Sequence, residues 1–313
     1  MKIVKPPRLR KGDVIGLVSP ASAPSSPDKI EKSTQYLEHL GYRVKIGKHV
    51  MDEVGYLAGR DEDRTSDLNE MFRDRSVRAI IAVRGGYGTP RILRRIDFQA
   101  VKRDPKIIVG YSDLTSLQLA LFRKTGLITF SGPMAGVEMW NDIDPYTEEH
   151  FWKVITSTTK IGLLENPPDV PLRSHGRGKG SGRLMGGNLS CLMSNHGTPY
   201  AADYRKAVLV VEDVDEAPHR VDRMFAQLRN AGVFKTITAL LLGCFTDCHP
   251  PDPSKPHLTI DQVLAEVIES SPVPVLSNLQ YGHIPRKLTL PIGSRTRVSA
   301  SHRTLEIVES AVR

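Results

Sequence analysis

Cysteine is nearly missing from this chain: Cys191, Cys244 and Cys248 are the only three in 313 residues. An odd number of thiols in so long a chain excludes a disulfide framework and points to reduced cysteines and a cytoplasmic setting. Cys244, Cys248 and His249 lie close in sequence, but a C-x3-C spacing with no second ligand pair is not a zinc pattern, and no metal is expected. Long hydrophobic runs are lacking too. No apolar stretch reaches the ~20 residues of a membrane-spanning helix. The segment "MKIVKPPRLRKGD" has no apolar h-region, so neither a membrane partner nor a secretory signal is expected. Aromatics make up only 6% of residues, and the net charge of +8 is scattered from Lys2 to Arg313. Without a basic run interleaved with aromatics, nucleic-acid binding is not expected; attraction of a small acidic substrate is a better use of the charge. Nucleotide motifs fail as well. "RGGYG" (84–88) is not G-x-G-x-x-G, and "GRGKGSGR" is not a phosphate loop because Lys179 is followed by Gly180. No cofactor is expected.

What is present suits a folded protein of two domains: 40% hydrophobic and 25% charged residues. The first half alternates apolar runs with amphipathic stretches. "DVIGLVS" (13–19), "YRVKIG", "RAIIAV" (78–83) and "KIIVG" (106–110) read as strands. Residues 26–41, 63–74, 90–96 and 113–124 read as helices, the first with Ser26 as N-cap, Pro27 in the first turn and Gly41 past the end. Such alternation predicts a parallel sheet covered on both faces, with ligands at the carboxyl ends of its strands. "RGGYG" and "GYSD" both leave strands at that end and are expected to be neighbours. Residues 161–182, rich in Pro, Gly and charge, read as a linker or exposed loop. Beyond it come strands at 207–213 and 237–245, helices at 219–232 and 259–270, and a stranded, barrel-like end of short strands at "KLTLPIG", "TRVSA" and "TLEIV".

Four places carry chemistry. Ser112 lies between a buried strand and a helix, where free N–H groups and the positive end of the helix dipole collect. That placement suits a nucleophile, and equally a simple helix cap by Ser112 or Asp113. The adjacent glycines of "RGGYG" allow a tight turn with exposed N–H groups, fit for an anion. A serine nucleophile needs a base, and the base needs an orienting acceptor. His283, on the loop "LQYGHIPRK", and Glu212, ending "LVVED", are the candidates. Asp213, Asp215 and Glu216 compete for the acid role, and an ion pair with Arg220 or Arg223 is the structural alternative for Glu212.

Six blocks in order carry a resemblance: "LRKGDVIGLVSPAS", "VRGGYGTPRIL", "GYSD", "GRLMGGNLSCL", "VVEDVDEAPHRVDRM" and "YGHIPRKLTLPIG". Together the sequence resembles the serine LD-carboxypeptidases, the muramoyltetrapeptide carboxypeptidase family, over nearly its whole length. The resemblance implies a Ser–His–Glu triad of Ser112, His283 and Glu212, and an oxyanion hole from the backbone N–H groups of Gly86 and Asp113. It implies an α/β fold: an N-terminal doubly wound, mainly parallel domain (1–160), the linker (161–182), and a smaller C-terminal swivelling-type domain (183–313) carrying acid and base, with the site between. The implied activity is removal of terminal D-alanine from cell-wall tetrapeptides in murein recycling, by a homodimer. Arg84, Arg183 and Arg286 are candidates by position for holding the terminal carboxylate. Two other readings remain: a related self-immunity peptidase cleaving a peptide–nucleotide antibiotic, and a non-catalytic phosphate- or glycan-binding protein.

Overall fold

The computed structural model describes residues 2–313. Its strands are β1 (Val14–Val18), β2 (Arg43–Ile46), β3 (Val77–Ala82), β4 (Ile107–Val109), β5 (Thr129–Ser131), β6 (Gly162–Leu163), β7 (Arg173–His175), β8 (Lys179–Asn188), β9 (Ala207–Val214), β10 (Ala239–Thr246), β11 (Val275–Ser277), β12 (Leu290–Ile292), β13 (Arg295–Ser299) and β14 (Thr304–Ile307).

They form two sheets, of order β12-β5-β4-β3-β1-β2 and β6-β14-β13-β8-β9-β10-β11-β7. In the first, β2, β1, β3, β4 and β5 run parallel. The central strands β1 and β4 are buried at every position, as a sheet covered by helices on both faces requires. Chain order reverses between β1 and β3, so the loops after β1, β3 and β4 open side by side at the carboxyl ends, the usual ligand crevice of such a sheet. The expected neighbours "RGGYG" and "GYSD" do lie side by side there.

The second sheet has a parallel centre, β8-β9-β10-β11. It is flanked by antiparallel strands, β13, β14 and β6 on one side and β7 on the other. Three expectations change here. The stranded end is not a barrel: the sheet is open, with β6 and β7 at its edges. Segment 161–182 is more than a linker, since it supplies β6, β7 and the start of β8. Its prolines, Pro167, Pro168 and Pro171, fall between the edge strands β6 and β7, where no ladder donor is needed. Finally, the strand read at "KLTLPIG" leaves the second domain. As β12 it pairs antiparallel with β5 and completes the first sheet. Its apolar pattern could not say which sheet it would join.

The helix Leu114–Thr125 links the two halves. Leu114, Leu117, Ala120 and Leu121 pack into one core of the first domain, while Leu119 and Phe122 belong to the core of the second. A helix apolar on nearly all sides is an internal helix, and this one is shared. Small groups let it dock: Asn188 donates its N–H to Thr115 Oγ1 at 3.0 Å and Asn195 Nδ2 donates to the Ser116 carbonyl at 2.9 Å.

Candidate active site

Ser112 has φ +64°, a left-handed backbone that a non-glycine residue adopts at a cost of ~1–3 kcal/mol unless the surroundings enforce it. The surroundings do. Gly85 of the glycine loop lies against it: a Cβ there would fall 2.8 Å from Ser112 Cβ and 3.0 Å from its Oγ. On the other side of the loop, a Cβ on Gly86 (φ +116°) would fall 2.2 Å from Ser22 Oγ. Both glycines are therefore demanded by close approach.

The question of capping has a definite answer. Asp113 occupies the N-cap position of helix Leu114–Thr125 without capping it through its side chain. Its carboxylate turns away and accepts the Thr89 N–H at 2.8 Å, and its carbonyl accepts the Thr89 hydroxyl at 2.6 Å. Asp113 thus fastens the Ser112 turn to the helix that follows the glycine loop. Burial pushes its carboxyl up to about 6, against the Thr89 and Gly88 N–H groups that favour the anion. The N–H groups of Asp113 and Gly86 have no acceptor among the described residues.

Glu212 lies near the carboxyl end of β9, fully buried, and its Oε2 is 2.8 Å from His283 Nδ1. The Nδ1–H donates to the carboxylate, which leaves Nε2 as the acceptor. Gly282 permits this approach, because a Cβ there would sit 2.7 Å from Glu212 Oε2. Two of the competing acids, Asp213 and Glu216, are engaged elsewhere. Side chains alternate along a strand, and Asp213 faces the other way, accepting Asn188 Nδ2, the Ser190 N–H and the Ser190 hydroxyl at 2.6–2.9 Å. Arg220 pairs with Glu216, not Glu212.

Tyr111 joins the two groups of residues. It precedes Ser112, and its ring packs edge-on against the His283 imidazole with centroids 5.0 Å apart. Its hydroxyl donates to Glu138 Oε1 at 2.8 Å, and the Lys287 ammonium lies 2.6 Å from that same oxygen and 4.0 Å from the Tyr111 ring centroid. Burial and the Glu138 charge hold the phenol well above its ordinary range. Thr147 finishes the anchorage, accepting the Lys287 N–H and donating to the Pro285 carbonyl, both at 2.8 Å. The histidine segment is thus pinned to the first domain. Beside it opens a cavity of ≈350 Å³, lined in part by Tyr111, Val137, His283 and Pro285. Sequence reasoning gave Tyr111, Glu138 and Lys287 no role, although "GYSD" contains Tyr111 and "YGHIPRK" contains Lys287.

The three candidate arginines differ. Arg84 is half-buried beside the glycine loop, with one long bond to the Ala23 carbonyl (3.4 Å). Arg183 is held by Glu309 and the Gly293 carbonyl, and Arg286 grips both oxygens of Asp169. The structure brings neither of these two into a bond with the other site residues.

Comparison with known proteins agrees with this arrangement as a fold. The model of the LD-carboxypeptidase N-terminal domain matches residues 15–132, and that of the LD-carboxypeptidase C-terminal domain matches residues 181–298. A probable murein peptide carboxypeptidase of Bacillus subtilis (strain 168) is 39% identical, over 98% of this chain and 95% of its own. The crystal structure of muramoyltetrapeptide carboxypeptidase from Oxalobacter formigenes superposes with a TM-score of 0.81 at 30% identity, covering 93% of this chain and 97% of the other. MccF, a microcin C7 self-immunity protein, in complex with glutamyl sulfamoyl guanosine superposes with a TM-score of 0.89 at 27% identity, covering 99% of both chains.

Proposed function

The chain belongs to the LD-carboxypeptidase family, and from that premise we propose that it is a serine peptidase that removes the terminal D-alanine of cell-wall tetrapeptides, working in murein recycling in the cytoplasm as a homodimer. Ser112 is the nucleophile, His283 the general base and acid, and Glu212 the group that fixes the imidazole tautomer. The observation that carries this reading is the 2.8 Å bond from His283 Nδ1 to the buried Glu212 Oε2, on an imidazole packed against the neighbour of a strained serine.

The chemistry follows from the groups. His283 Nε2 takes the Ser112 proton as Oγ attacks the scissile carbonyl. The developing oxyanion is met by the Gly86 and Asp113 N–H groups, which need no reorganisation to receive it. Collapse expels D-alanine, its amine protonated by His283, and water attacks the acyl-serine by the same route in reverse. Glu212 stabilises the imidazolium formed twice in the cycle. Arg84 supplies positive charge for the substrate's free carboxylate. A second reading, cleavage of a peptide–nucleotide antibiotic, draws support from the high fold similarity to MccF.

One incubation separates them. Purified protein is mixed with a diamino-acid tetrapeptide ending in D-alanine, and alanine release is followed by mass spectrometry. Release is expected to fall by at least ~10³-fold in Ser112→Ala and to persist with a chelator present. Activity surviving Ser112→Ala defeats the serine mechanism. Turnover of an aminoacyl-nucleotide but not of the tetrapeptide favours the second reading.

A further inference from the structure

We propose that Tyr56 and Tyr87 form a sugar-binding lip beside the active site, which takes the N-acetylated amino-sugar ring carried by the peptide substrate. The inference rests on the carboxypeptidase reading above. These two are conspicuously exposed for large rings, at 66% and 46%, and they touch each other edge-to-face with centroids 5.5 Å apart. They come from different loops and are held together on purpose-built contacts. Ser22 Oγ donates to the Tyr56 carbonyl at 2.6 Å and accepts the Tyr87 N–H at 3.3 Å. The Ser22 N–H in turn bonds the Gly85 carbonyl at 3.4 Å. The lip is therefore braced against the same glycine loop that abuts Ser112, and Tyr87 directly follows Gly86.

The geometry selects the ligand class. Two rings in edge contact leave no slot for a planar base to enter between them. Each does leave an open face, and the apolar C–H face of a pyranose fits a single open aromatic face. Neither phenol hydroxyl has a partner among the described residues, so both are free for sugar hydroxyl or acetamido groups.

The test compares kcat/KM for an N-acetylmuramyl tetrapeptide and for the same tetrapeptide without sugar. Wild type is expected to prefer the glycopeptide by about tenfold or more. In Tyr56→Ala and in Tyr87→Ala that preference falls towards one through KM, whereas Tyr56→Phe keeps it. As a readout independent of turnover, saturation-transfer NMR on Ser112→Ala with the glycopeptide should label the sugar-ring protons, and adding Tyr56→Ala should remove that label. Turnover without preference in wild type, or a preference unchanged in both alanine variants, overturns the lip and leaves the peptidase reading standing. Turnover of neither substrate by wild type overturns that reading and the lip with it.

Discussion

Asp113 shows how one side chain can serve a site without touching substrate. Its carboxyl is raised from 3.8 to about 6 by burial, so the folded state binds its proton more tightly than the unfolded chain does. The stability this contributes is fully present below pH 3.8 and is lost as pH rises to about 6, by up to roughly 3 kcal/mol. Asp113→Asn should flatten urea-derived stability over that interval; an unchanged slope would assign the pH dependence elsewhere. Glu212 offers a kinetic counterpart. In Glu212→Gln the amide can present N–H to Nδ1 and stabilise the wrong tautomer, so kcat should drop by roughly 10⁴ with KM little changed. A loss below tenfold would remove Glu212 from the mechanism. Ser112, His283 and Glu212 could be singled out as candidates because each stands where a strand ends or a glycine permits a turn. Tyr111 could not, because its role depends on Glu138 and Lys287, and only the closed fold brings Lys287 to it.

Among the elements, the π-helical turn Ala135–Met139 has the least visible sequence signal and a central mechanical part. It presents Glu138 to the ammonium of Lys287, which is 3% exposed. Removing one partner strands a buried charge, so Lys287→Met should cost about 3–5 kcal/mol. Adding Glu138→Gln should restore much of that stability; if the double variant is no better than the single, the pair is not what holds the segment. Regular elements of the first domain fell close to their expected bounds, as in the strand read at 78–83 and found at Val77–Ala82. Periodicity marks such runs well. It fails for β7, three residues long, because so short a run has no period; it marks β12 as a strand but not its sheet, because the partner of that strand is chosen by tertiary contact.

For the whole molecule, the shared helix Leu114–Thr125 and the crossing strand β12 mean that neither half has a complete core alone. Calorimetry should show one cooperative transition; two separated melts would contradict the shared core. A fragment of residues 1–160 would expose Leu119, Phe122 and the open edge of β5, and it should aggregate or remain without a dispersed amide NMR spectrum. The two-domain plan was legible from the change in composition near residue 161, but the return of the chain was not, since nothing local distinguishes a strand that goes home from one that stays. That return has a temporal consequence. On the ribosome, the outer edge of β5 waits unpaired until residues 290–292 emerge, some 160 positions later, an interval of roughly 8–30 s at ordinary elongation rates. His283 lies only seven positions before that strand. The last strand to close the first sheet thus follows His283 out of the exit tunnel, so on the proposed mechanism a nascent chain carries Ser112 long before it can use it, and hydrolytic competence arrives together with closure of that sheet.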